Sequence, residues 1–419
     1  MEVQTLCDLI DERKEELFDL LGRLIRINSE NFGSRGNESE CPAYIADLCR
    51  EMGLETDLYS PLSLGGFTEH PDYMEGRHLE DRLNVTAVWR GKEDKNGLML
   101  MGHHDTETVG DPALWTVEPL GGEVRDGKVW GRGACDDKYA LAVGLFLLKL
   151  LKEQGFEPKE NILLTAYCDE EKGGSHGALA STLKYPSRRI VNMDCKNFEI
   201  WSAASGGACA KYRFHVAEPL DSCKRTAEAL PLVMEVMNRF GRRRKEELDR
   251  NPFYAGTIIP GTALRYFGVR AGGNGNDLNI GEIKFSFYTD RTKAQIDAEL
   301  AAMEAELQEK FTPLGIVSDG FSLTTRYFPY GYTDPDCDAI TELQAAAREV
   351  SGREVKPCGS CLSDLAVILA NGGKDAFSFG VGRDFDEYGG AHQPDEYVDC
   401  EELVEFAKIM AAYILRTVG

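Results

Sequence analysis

Between residues 83 and 203 short apolar runs alternate with helix-length stretches, and this pattern constrains the fold more than any other feature of the chain. Val85-Thr-Ala-Val-Trp89, Leu98-Met-Leu-Met101, Asn161-Ile-Leu-Leu-Thr-Ala-Tyr167 and Ile190-Val-Asn-Met193 read as strands. Residues 139–154 read as a helix that stops at Gly155. Strands apolar on both faces need cover on both sides. The expectation is therefore an α/β fold with a mostly parallel sheet. Amphipathic spacing adds helices over residues 8–27 and 41–52. After Ser205 the character changes. Residues 211–216 alternate as a half-exposed strand does, a helix follows over 224–240, and then the basic run Arg242-Arg-Arg-Lys245. Residues 262–269 and 282–288 read as strands and 296–311 as a charged helix, which together suit a small α+β unit. From Phe321 the α/β pattern returns, with helices over 338–350 and 400–417. The expected organisation is one discontinuous α/β domain, 1–205 and 316–419, with an inserted α+β unit at 206–315.

Composition narrows the function classes. Of 419 residues, 47 are Lys or Arg and 70 are Asp or Glu, giving a net charge of −23. A surface that negative repels phosphate backbones and anionic lipid heads, so neither nucleic acid nor membrane is an expected partner. No apolar run approaches the ~20 residues that span a bilayer. Residues 1–19 lack an uninterrupted apolar segment of the kind a signal peptide needs, so a cytoplasmic location is expected. The 12 cysteines show no disulfide-framework spacing. Cys358-Gly-Ser-Cys361 has zinc-ribbon spacing but no second pair nearby, and reads as accidental.

Unusual polar residues sit where the apolar strands end. Strand 98–101 runs into Gly102-His103-His104-Asp105, strand 161–167 into Asp169-Glu170-Glu171, and strand 190–193 into Asp194. Ligands of open α/β sheets bind at the carboxyl ends of strands, so three exits deliver these groups to one edge. Gly131-Arg-Gly-Ala-Cys-Asp136-Asp137-Lys138 precedes a helix, and Gly389-Gly-Ala-His392-Gln-Pro-Asp-Glu396 forms a late Gly-rich loop. Imidazole with carboxylate suits Zn²⁺, Mn²⁺ or Co²⁺. Two His and three or four carboxylates exceed the needs of one tetrahedral zinc and suit two ions sharing a carboxylate. The pair Glu170-Glu171 suggests that one residue binds metal while its neighbour handles the proton. Each block alone has a blander reading, such as an acidic helix cap. The order and combination favour a metal site.

These blocks resemble the superfamily of co-catalytic zinc peptidases and deacylases, which includes acetylornithine deacetylase, succinyl-diaminopimelate desuccinylase, glutamate carboxypeptidase and carnosinase-like dipeptidases. The matching segments span residues 97–397. The resemblance implies two divalent ions, most simply Zn, with Co or Mn as alternatives. It implies His103 and Asp194 on the first ion, Asp136 as the bridge, and Glu171 and His392 on the second. It implies Glu170 as the general base, Asp105 as the residue that orients the His103 ring, and a cis peptide after Asp136. It also implies a homodimer, with residues 1–205 and 316–419 as the catalytic domain and 206–315 as a lid or dimerisation domain. Relatives place a His just after the first lid strand. Here that strand is followed by Ala217-Glu-Pro-Leu220, which leaves His215 within the strand as the lid histidine. Arg291 and the Asn-rich loop 274–279, including Asn276, are loosely matched candidates for holding substrate. Aspartate at position 194 is commoner in the peptidase branches of the superfamily, which favours hydrolysis of short peptides. An N-acyl-amino-acid deacylase is the alternative. Rivals from other classes are a binding protein without catalysis and a thiol enzyme using Cys135, Cys168 or Cys195.

Overall fold

A computed structural model describes residues 2–218, 221–255, 263–272 and 279–419. In chain order the elements begin with α1 (Val3–Arg26), α2 (Glu40–Glu51), β1 (Glu55–Tyr59), β2 (Asn84–Trp89) and β3 (Glu93–His103). The hairpin β4 (Glu123–Arg125) and β5 (Lys128–Trp130) leads to α3 (Lys138–Glu153), β6 (Glu160–Tyr167), α4 (His176–Lys184), β7 (Arg189–Asn192) and β8 (Ile200–Ala204). Then follow β9 (Gly206–Val216), α5 (Ser222–Leu248), β10 (Leu264–Ala271), β11 (Ile280–Thr289), α6 (Lys293–Phe311), β12 (Ile316–Leu323) and β13 (Gly331–Tyr332). The chain closes with α7 (Asp338–Ser351), β14 (Pro357–Gly359), α8 (Leu365–Ala370), β15 (Asp375–Phe379), β16 (Tyr397–Asp399) and α9 (Cys400–Val418). None of the helices among the described residues is long and apolar enough to cross a membrane.

The chain divides into two compact units. The first comprises residues 1–202, 333–358 and 367–419. Its central sheet runs β1-β2-β6-β3-β7-β15-β8. The middle four strands, β6, β3, β7 and β15, are mutually parallel. The flanking strands β1, β2 and β8 pair antiparallel, so the sheet is mixed, with its parallel part at the centre. Leu98, Leu100, Ile162, Leu164 and Val191 join one large core with the apolar stripes of α1, α2, α3, α7 and α9. Met99, Met101 and Leu163 alternate to the opposite face. Helix α3 is apolar nearly all round because it is buried nearly all round. At its start the buried Lys138 ammonium donates to the carbonyls of Leu24 and Ile27 at 2.9 and 2.7 Å, satisfying the last turn of α1.

The second unit comprises residues 203–332 and 359–366. Its four-stranded antiparallel sheet runs β10-β11-β9-β12. Tyr212, Phe214 and Val216 of β9 and Ile283, Phe285 and Phe287 of β11 bury one face against Val233, Met237 and Phe240 of α5 and Leu300, Met303 and Leu307 of α6. The unit extends past the expected boundary at residue 315, because β12 pairs with β9 over Ile316–Leu323 and completes this sheet. The basic run 242–245 is not a loop. Helix α5 continues through it to Leu248, since Arg244 turns into the unit and ion-pairs with Glu247 and Glu299, each at 3.0 Å.

Candidate metal centre

Three neighbouring parallel strands set the site. In the order β6-β3-β7, His103 stands opposite Tyr167 and Met101 opposite Asn192. The residues that follow each strand therefore leave the sheet at one level. The segment between β5 and α3 brings in Asp136, followed by a cis peptide to Asp137. His392, in the left-handed region at φ 63°, comes from the loop before β16.

Asp136 lies between two imidazoles. His103 Nε2 is 2.9 Å from Asp136 Oδ1, and His392 Nε2 is 3.2 Å from Oδ2. His392 Nε2 is also 2.6 Å from Glu171 Oε2. The other Glu171 oxygen accepts the Glu107 backbone N–H at 2.5 Å. The Glu171 side chain is only 1% exposed, yet its Oε2 makes no hydrogen bond. A buried carboxylate oxygen and the Asp136 carboxylate, both facing one imidazole nitrogen, are an arrangement of ligands aimed at a common point. Two His and a shared carboxylate fit a pair of divalent ions. Among the described residues, His103, Asp136 and Glu171 form one compact donor group and Glu107, Glu171 and His392 another.

The charges respond to this crowding. Burial disfavours the protonated His103 ring, but the carboxylates of Asp136 and Glu170 outweigh it and hold the imidazole well above its ordinary value. His392 is raised likewise by Glu171 and Asp136. Asp136 is held far below the usual carboxylate range despite its burial, by the two histidines. Burial pushes Glu171 up.

Surrounding groups fix these side chains. His103 Nδ1 is 2.8 Å from the Asp105 backbone carbonyl, which leaves Nε2 facing Asp136. The expected role of the Asp105 carboxylate needs correction. It stands 3.7 Å from the ring and instead accepts the backbone N–H groups of Glu170 and Glu171, at 3.0 and 3.1 Å, and the Asn31 amide at 2.8 Å. It thus holds the Glu170-Glu171 turn. Asp169 anchors the same turn through Arg82 and through His176 at 2.6 Å. Arg132 ties the Asp136 segment to the His392 loop, donating to Glu396 at 2.5 Å and to the His392 carbonyl at 3.2 Å. Tyr139 donates to the carbonyls of Met193 and Cys195 and so fixes the segment bearing Asp194.

The expected residues do not all converge. His103, Asp136, Glu171 and His392 come together, with Glu170 close enough to act on the His103 charge. Asp194 belongs to neither compact group; its charge acts on buried Asp137, whose carboxyl is raised by burial first and Asp194 second. His215 and Arg291 belong to the second unit and have partners there. His215 Nδ1 is 2.8 Å from Asp319 Oδ1, and Arg291 pairs with Glu247. Asn276 lies outside the described residues. Glu107 was not anticipated. Its only signal in the sequence is its place two residues after Asp105, on the same strand exit. The three cysteines considered as nucleophiles, Cys135, Cys168 and Cys195, are buried, and burial raises each thiol well above its ordinary value. That is the reverse of what thiolate chemistry requires.

The fold and the donor set define a metal-dependent hydrolase. Residues 99–416 match the sequence model of Peptidase family M20/M25/M40, and the chain belongs to that family. An uncharacterised metallohydrolase of Methanococcus maripaludis is 31% identical, over 94% of this chain and 97% of the relative. N-formyl-4-amino-5-aminomethyl-2-methylpyrimidine deformylase of Halalkalibacterium halodurans is 23% identical, over 98% of this chain and 96% of the relative. The crystal structure of human carnosine dipeptidase 1 superposes with a TM-score of 0.73 at 14% identity, covering 99% of both chains.

Proposed function

We propose that this chain hydrolyses an amide bond in short peptides, using a dinuclear zinc site built on His103, Asp136, Asp194, Glu171 and His392. The observation that carries the reading is the placement of Asp136, with one imidazole on each of its oxygens. Ions held by these residues would supply positive charge at an amide carbonyl oxygen and lower the pKa of a water. Glu170 takes a proton from that water and returns it to the leaving nitrogen. Asp105 and Asp169 hold the Glu170-Glu171 turn at the angle these tasks need. Arg132 keeps His392 beside Asp136. The protein acts as a cytoplasmic homodimer, its pairing made by the second unit.

A second reading, removal of an acyl group from a small amine, is favoured by the deformylase among the relatives. A panel of dipeptides, tripeptides and N-formyl, N-acetyl and N-succinyl amino acids, assayed with Zn²⁺ and after chelation, separates the two. Metal-dependent turnover of free dipeptides or tripeptides supports the first. Turnover restricted to N-acyl substrates supports the second. Turnover unaffected by chelation contradicts both.

A further inference from the structure

The dinuclear reading leaves one carboxylate of the cluster without a task. Glu107 follows β3 by four residues, and its backbone N–H fixes Glu171 Oε1. One of its own carboxylate oxygens lies within 4.8 Å of the donor atoms of both Glu171 and His392. Glu171 Oε2 is buried and lies 2.6 Å from His392 Nε2. Glu107 does not point into open solvent, since its side chain is 19% exposed. Its carboxylate accepts the Thr108 N–H and hydroxyl on one oxygen and pairs with the Lys172 ammonium on the other.

We propose that Glu107 is a further carboxylate ligand of the His392 half of the site, and that Lys172 is a cation competing with the metal for it. This rests on the dinuclear reading above. With Glu107 included, that half offers one imidazole and three carboxylates, Asp136, Glu171 and Glu107. While the ion is absent, the Lys172 ammonium neutralises the Glu107 carboxylate and so holds it away from the metal position. Carboxylate-rich sites suit harder ions such as Mn²⁺ better than imidazole-rich sites do. Removing Glu107 therefore harms Mn²⁺ binding more than Zn²⁺ binding.

Two substitutions then act in opposite directions. Glu107→Gln removes an anionic donor of nearly the same shape and weakens one of two Mn²⁺ sites ~10–100-fold, the scale on which supporting groups alter metal affinity. Lys172→Met removes the competitor and tightens the same site. Loss of a nearby charge alone also gives opposite signs but shifts Mn²⁺ and Zn²⁺ alike, so the larger loss for Mn²⁺ in Glu107→Gln is what marks a ligand. The test is calorimetric titration of chelator-stripped wild type, Glu107→Gln and Lys172→Met with MnCl₂, and separately with ZnCl₂. Opposite shifts at one site, larger for Mn²⁺ in Glu107→Gln, are expected. Shifts of the same sign, or none, overturn the proposal. A wild type that takes up fewer than two ions contradicts the dinuclear reading itself. A wild type that takes up two, neither of them sensitive to these substitutions, contradicts only the role of Glu107. Should Glu107→Gln fail to fold, Lys172→Met decides alone: a tighter site supports the proposal, and an unchanged or weaker one overturns it.

Discussion

Glu170 and Glu171 are consecutive, yet their surroundings separate their tasks. Glu171 is buried against His392 with one oxygen held by the Glu107 N–H. Glu170 is half-buried, its backbone N–H donates to Asp105, and its charge acts on His103. Glu170→Gln is expected to keep fold and metal content while turnover falls at least ~10²–10⁴-fold, the usual worth of general acid–base catalysis. Glu171→Gln is expected to release metal. Elemental analysis alongside steady-state rates checks both, and identical behaviour of the two variants would contradict the division. The pair was legible in the sequence because two carboxylates at a strand exit have few structural uses. The actual role of Asp105 was not. Whether a carboxylate or the carbonyl of the same residue meets an imidazole is decided by backbone direction, which residue type does not encode. Glu107 was missed for a related reason: a single Glu in a loop looks solvated until the fold places His392 beside it.

At the scale of elements, the site is assembled from loops that must be tied together. Arg132 and Glu396 are both buried and link the segment before α3 to the loop before β16. Glu396 also accepts the Cys135 N–H at 2.9 Å. Arg132→Met leaves that carboxylate buried without its cation, which typically costs about 3–5 kcal/mol. Thermal or denaturant unfolding is expected to show that loss, and metal titration a weaker His392 half. Unchanged stability would show that the pair does not hold the loops. Most helices and the seven strands read from the sequence coincide with elements of the fold, because apolar runs and helical spacing report burial directly, whereas β1, β4, β5, β8 and β12 to β16 were not read. Helix α5 was cut short at 240 because the basic run Arg242-Arg-Arg-Lys245 interrupts its apolar spacing. A buried arginine with two glutamate partners is a tertiary outcome that local pattern cannot announce. The alternation of residues 212–216, by contrast, correctly put Tyr212, Phe214 and Val216 on the buried face and His215 on the other.

For the whole molecule, the insertion expected at 206–315 lies inside the second unit, which also takes in β12, β13 and residues 359–366. In the second unit His215 is tied to Asp319 and Arg291 to Glu247. His215→Ala is accordingly expected to lower kcat less than tenfold, well short of the ~10²–10³ that loss of an oxyanion donor costs. Arg291→Ala is expected to act mainly on KM if it exchanges Glu247 for a substrate carboxylate. Steady-state kinetics on both variants measures this, and a hundredfold fall in kcat for His215→Ala would return the lid histidine to catalysis. Strand β10 edges the second sheet with Phe267 and Val269 exposed, an edge that pairing with a second copy would cover. Sedimentation is expected to give a dimer of the 419-residue chain; an active monomer would refute it.

The central claim is that Asp136 bridges two metal ions. Anomalous diffraction from crystals grown with Zn²⁺ tests it most directly. The account predicts two peaks flanking the Asp136 carboxylate, one beside His103 and one beside His392. A single peak, or peaks away from Asp136, would contradict it.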